Sequence, residues 1–294
     1  MEVSGQDFRE VQALVRSLCG LVLSDDKTYL VQTRLESVVR THGFSTFSQY
    51  LDRLQEADAR QLRDELVESL TTGETSFNRD GHPFDELRRR ILPELGDMIR
   101  RRRVAGFPIP IARLWSAGCS TGQEAYSLAI AVCDYLATQT ASDLRPDRFP
   151  ILATDVSDAS LKIAKEGVYS QRDIDRGLTQ DQRNRFFRRQ SNHWCAIDEI
   201  RRMIEVRQLN FVDSKTDWGP CDVIFCRNVM IYFDAPTRQR LCEQFYRVLS
   251  ADGWLILGAA ESLYGLKTGF VSQQVGNTTV YRKCPPGAGG GCAS

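Results

Sequence analysis

From residue 107 onward, short apolar strands alternate with amphipathic helices, and that alternation restricts the chain to an α/β architecture built on a doubly wound, mostly parallel sheet. A strand over 112–117 runs into a turn containing Gly118 and Gly122, then a helix over 123–136. A second strand, 149–153, ends at Thr154-Asp155 and precedes a helix marked by Leu161 and Ala164. A third, 222–225, ends at Cys226-Arg227-Asn228 and is followed by a helix over 236–249 and a strand over 254–257. The last two strands, 270–275 and 278–282, flank Gly276-Asn277, a favourable hairpin dipeptide. Between 174 and 210 the pattern is irregular. Alternation such as Met203-Ile204-Glu205-Val206-Arg207 predicts short strands of a small antiparallel β insertion, at about 186–208.

The first hundred residues have a different period. Phe8, Val11, Leu14, Val15 and Leu18 recur at helical spacing, as do Leu35, Val38 and Val39, then Phe47, Tyr50, Leu51 and Leu54, then Leu62, Leu66 and Leu70. Residues 1–80 are therefore expected to form an N-terminal all-helical domain. A linker helix at 81–106 is expected to bend or break at Pro93. Residues 107–284 form the α/β domain, and the Pro- and Gly-rich stretch 285–294 is expected to be a disordered tail.

With 38 basic and 38 acidic residues the chain has no net field to drive general binding to nucleic acid or anionic membrane. Nine cysteines without a C-x-x-C pair suggest neither a disulfide framework nor, with three dispersed histidines, a metal site. The start has no basic and apolar leader pattern, and no apolar run approaches the ~18 residues of a membrane span. A reduced, cytoplasmic protein is expected.

Four polar clusters fall at strand ends or the domain junction, where α/β sheets bind ligands. In residues 116–124, Gly118 and Gly122 let backbone approach a ligand ahead of a helix N-terminus. The G-x-x-x-G spacing does not favour a pyrophosphate cofactor, and a tight turn without a ligand fits equally. Asp155 is placed to accept hydrogen bonds from ribose hydroxyls, although it or Ser157 fits as a helix cap. Residues 226–234 present Arg227, Asn228 and Tyr232 around a cleft, or satisfy loop carbonyls and pack on a helix. Residues 71–80 read either as a ligand loop or as a polar linker.

Together the clusters resemble the CheR chemotaxis receptor methyltransferases, whose segments match from about residue 8 to 283. The most specific block is Asp222-Val-Ile-Phe-Cys-Arg-Asn-Val-Met-Ile-Tyr-Phe-Asp234, supported by residues 115–129, 153–157 and Gly258-Ala-Ala-Glu-Ser262. The resemblance implies a class I S-adenosylmethionine methyltransferase fold and methylation of glutamate side chains on the cytoplasmic domain of a methyl-accepting chemoreceptor. It implies cofactor contacts from Thr75, Arg79, Gly118, Glu124, Asp155, Asn210, Phe211, Arg227 and Asn228. Arg79 and Tyr232 would border the incoming glutamate as catalytic residues. Arg34 and Arg40, with Lys27 before them, would form a basic stripe for substrate recognition, or a solvated helix face.

The chain departs from the family pattern at Asn78, in a Phe77-Asn78-Arg79 block that is often Phe-Phe-Arg, at Gln123 and Ala125, and at Gly73, where some members have a cofactor-binding asparagine. The insertion is a few residues shorter than in members that dock a receptor's tail peptide, which points to a peptide-independent enzyme. A monomer is expected. Competing readings are a methyltransferase for another acceptor and a cofactor-binding regulatory partner in a signalling complex.

Overall fold

The computed structural model describes residues 1–139, 143–212 and 218–284, so the expected tail at 285–294 lies outside the described residues. Four helices begin the chain: α1 (Gly5–Cys19), α2 (Thr28–Thr41), α3 (Phe47–Leu54) and α4 (Arg60–Leu70). A capping box opens α1, with the Asp7 amide donating to Ser4 Oγ and the Ser4 amide donating to the Asp7 carboxylate. Thr46 caps α3. The apolar faces read from the sequence converge on one core containing Val11, Val15, Leu35, Val39, Tyr50, Leu54 and Leu66. Burying each such side chain contributes roughly 1.5–3 kcal/mol.

The linker helix neither breaks nor stops at Pro93. Helix α5 (His82–Glu86) continues through a π-helical turn (Leu87–Ile91) into α6 (Leu92–Val104). The Leu92 amide donates to the Leu87 carbonyl, one residue further back than in an α-helix. That widened turn leaves Pro93 in the first turn of the following α-segment, where its missing N–H is tolerated. Within the neighbouring arginine runs, Arg102 forks onto Asp222, which is only 2% exposed, at 2.8 and 3.2 Å.

The second domain runs β1 (Leu114–Ala117), α7 (Gln123–Ala137), β2 (Ile151–Asp155), α8 (Asp158–Glu166), β3 (Val168–Ser170), α9 (Gln171–Asp175), α10 (Gln180–Phe186), β4 (Phe187–Gln190), β5 (His193–Ala196), α11 (Asp198–Arg201), β6 (Ile204–Gln208), β7 (Cys221–Cys226), α12 (Ala235–Val248), β8 (Leu249–Leu257), β9 (Phe270–Val275) and β10 (Thr278–Lys283). Its seven-stranded sheet has the order β6-β2-β1-β7-β8-β10-β9. Strands β6 to β8 are parallel, while β10 runs antiparallel to both neighbours. Every residue of β1 and β7 is buried, as expected for central strands covered by helices on both faces.

The insertion differs from its expected form. The small antiparallel sheet is β3-β5-β4, so it takes in Val168–Ser170. The stretch 203–207, read as part of the insertion, instead supplies β6, which pairs in parallel with β2 from Ile151↔Ile204 to Asp155↔Gln208. An edge strand with one covered face shows the same alternation as an inserted hairpin strand, so pattern alone does not separate them.

Candidate active site

Chain order reverses between β1 and β7, and a cavity of about 370 Å³ opens there, between the strand ends and the helical domain. Its volume lies within the range of small-molecule sites. The Gly118 amide donates to the Thr154 carbonyl at 2.8 Å, and the Gly118 φ of 83° lies where L-residues are strained. A Cβ at Gly118 would also collide with Val229. The turn then brings the Ser120 amide to Asp155 Oδ2 at 2.8 Å, while the Ser157 amide donates to Oδ1 at 3.0 Å. Ser157, not Asp155, caps α8. Burial pushes the Asp155 carboxyl up, only partly offset by these backbone hydrogen bonds.

Below the turn, Glu124 accepts from Ser116 Oγ at 2.7 Å and from Arg227 Nη1 at 3.3 Å. Burial raises its pKa against the opposing pull of Arg227 and Ser116. Arg227 also donates through Nη2 to the Arg79 carbonyl at 2.8 Å and to Asp80 Oδ2 at 2.6 Å, and stacks over the Phe84 ring. One guanidinium thereby ties the end of β7 to the linker that carries Arg79. Arg227 Nε and Asn228 Oδ1 are buried without a hydrogen-bond partner, and both residues line the cavity.

The helical domain closes the other side. Arg34 donates to the Leu70 and Thr71 carbonyls at 3.2 and 3.1 Å, fixing the start of the linker. Ser120 Oγ donates to the Gly73 carbonyl at 2.7 Å. Glu68 Oε1 accepts from Ser157 Oγ at 2.8 Å and the Ala159 amide at 2.7 Å, so an acid from α4 sits on the N-terminus of α8. Asn210 Nδ2 donates to the Leu18 carbonyl at 2.6 Å, and the Val22 amide donates to the Tyr232 carbonyl at 2.9 Å. Phe211 packs edge-on against Phe245.

Thr75, Arg79, Gly118, Glu124, Asp155, Asn210, Phe211, Arg227, Asn228 and Tyr232 all line this one cavity. Arg34 and Arg40 do not. Arg34 is engaged on the α4 terminus, Arg40 pairs with Glu36 at 2.7 Å, and Lys27 lies 3.6 Å from Asp26. Six residues of helix also turn the two arginines to different faces. Asn78 turns from the cavity, donating through Nδ2 to the Gly177 carbonyl at 2.9 Å and to Gln182 at 3.2 Å. Glu68 and Ser120 also line the cavity, and sequence alone does not single them out, because their partners are brought to them only by the fold. Cys119 and Cys226 are buried beside the cleft, and burial pushes both thiols well up, so they read as core residues.

The donor set suits a nucleoside bearing an amino acid: Asp155 for a ribose, Phe211 for a base, and Glu124 with unsatisfied Arg227 and Asn228 atoms for a zwitterionic chain. Among the described residues no helix is long and apolar enough to cross a membrane.

Residues 6–71 match the all-alpha domain of CheR methyltransferases and residues 73–279 match their SAM-binding domain. The chain is 32% identical to the chemotaxis protein methyltransferase Cher2 of Pseudomonas putida, covering 96% of this chain and 99% of that one. It is 34% identical to chemotaxis protein methyltransferase 1 of Pseudomonas aeruginosa, with the same two coverages of 96% and 99%. It is 35% identical to the chemotaxis protein methyltransferase of Vibrio anguillarum, over 95% of this chain and 98% of that one.

Proposed function

The chain belongs to the CheR methyltransferase family, and from that premise we propose that it methylates glutamate side chains on the cytoplasmic domain of a chemoreceptor. The observation that carries this reading is the convergence of Asp155, Glu124, Arg227 and the linker residues Thr75 and Arg79 on one interdomain cavity. When bound there, S-adenosylmethionine supplies a methyl carbon whose bond to the sulfonium sulfur breaks as the acceptor carboxylate attaches, leaving S-adenosylhomocysteine.

Asp155 holds the ribose, Asn210 and Phe211 flank the adenine, and Glu124, Arg227 and Asn228 hold the methionyl part. A glutamate acceptor is ionised near neutral pH, with a reference pKa of about 4.3, so no residue has to act as general base. The remaining task is to orient the carboxylate and strip its water. Arg79 and Tyr232, both part-exposed at the cavity, orient the carboxylate as it enters. Arg79 is steadied by its own Nη1–H bond to the Glu74 carbonyl at 3.0 Å.

The protein acts as a cytoplasmic monomer that does not need a receptor tail peptide. Measurable binding of a tail pentapeptide to the β3-β5-β4 sheet would sink the last point. For the activity, tritiated S-adenosylmethionine is incubated with receptor-bearing membranes from the parent cell, and alkali-labile label is scored as methanol. Label on a receptor-sized band is expected. Cofactor binding without such label would favour another acceptor or a binding-only role.

A further inference from the structure

Glu261 stands in the turn after β8 and touches the site only through backbone. Its Oε2 accepts from the Gly258 amide at 2.7 Å and the Asn228 amide at 2.7 Å. Its Oε1 accepts from the Val229 amide at 2.9 Å and the Ile231 amide at 3.2 Å. Three of these four donors belong to the loop after β7, which carries Asn228 and Tyr232 into the cavity. Apart from a single antiparallel bridge between Leu21 and Phe233, that loop pairs with no strand. Asn228 has a φ of 59°, and a short 3-10 turn (Met230–Tyr232) follows.

An ionised carboxylate is the side chain with acceptor sites for four donors in this arrangement. Glutamine of the same shape would turn an NH2 group towards two of the amides and leave them unpaired. We propose that Glu261 is a positioning residue for methyl transfer: it clamps the loop after β7 and thereby sets Asn228 and Tyr232 against cofactor and acceptor. The inference rests on the roles given to those two residues above.

The test compares wild type, Glu261→Gln and Glu261→Asp by amide hydrogen exchange at Asn228, Val229 and Ile231, and by turnover on receptor with S-adenosylmethionine. In Glu261→Gln the three amides exchange faster, and kcat falls about tenfold to a hundredfold, the cost of losing charge-assisted hydrogen bonds. Glu261→Asp, which keeps the charge with a shorter reach, recovers part of the turnover. In a Tyr232→Phe background the loss from Glu261→Gln shrinks, because the clamp acts partly through that tyrosine. Amides that stay protected in Glu261→Gln, or a turnover loss of the same factor in both backgrounds, would overturn the assignment. Wild-type protein that labels no receptor would defeat the acceptor reading, while the exchange comparison still decides the role of Glu261.

Discussion

On the α/β side of the cavity, Glu124 and Arg227 are only 8% and 6% exposed, and each is held by fixed partners. On the helical side, Thr72, Glu74 and Arg79 are exposed or part-exposed and engage through surface contacts such as Glu74–Arg176 at 2.8 Å. The ionisations differ in the same sense. Burial raises the Glu124 and Asp155 carboxyls, whereas a hydrogen bond from Arg176 lowers that of Glu74. The α/β wall is preorganised, with electrostatics that low dielectric makes strong and unforgiving. The helical wall is a set of adjustable latches, each of small value.

The largest break in that contrast comes from Arg227→Met. It strands Glu124 in the interior, so the variant is expected to lose about 3–5 kcal/mol of stability and measurable cofactor binding, read by denaturant titration and calorimetry. Arg79→Ala, on the adjustable wall, is expected to fold normally and lower turnover about 100-fold through misplaced acceptor, with cofactor affinity changed far less. Equal losses in both quantities would show that Arg79 belongs with the cofactor wall. Glu68→Ala removes the acid on the N-terminus of α8 and is expected to cost about 0.5–2 kcal/mol, seen as a lowered melting temperature.

The smallest effect is a difference of slope with pH. Asp155 holds its proton more tightly in the folded state, so its contribution to stability falls as pH rises above the ordinary value of 3.8. Asp7 in the helical domain behaves oppositely. Burial pushes it up, but hydrogen bonds from Ser4 and Ser48 outweigh that and leave it below 3.8, so its stabilisation is lost as pH falls through the folded value. Asp155→Asn should therefore gain on wild type as pH rises from about 3.8 to the raised folded value of Asp155 and no further, and Asp7→Asn should lose ground as pH rises through the acid range up to about 3.8. Matching slopes in the two melting series would remove the contrast.

The α/β wall was the more legible in sequence. Apolar runs that end abruptly in Gly118, Asp155 or Arg227 announce both a strand and its ligand end. The helical wall was less so. Arg34 looks like any arginine on a helix surface until the carbonyls of α4 are brought to it, and Glu68 gives no local sign that it will meet α8. Glu261 was visible only as part of a matching block, with no hint that four amides would converge on it. Strand β6 was misplaced because its alternation carries no information about which sheet it joins.

The position of β10 bears on how the protein is made. It lies between β8 and β9, so the last of the described strands in chain order fills an interior place in the sheet. During synthesis the edge of β8 stays bare until Thr278–Lys283 emerge, and β9 has no partner before then. Ribosome-bound chains are therefore expected to be sticky until late, and a stop codon just ahead of Thr278 to be far more harmful than its distance from the cavity suggests.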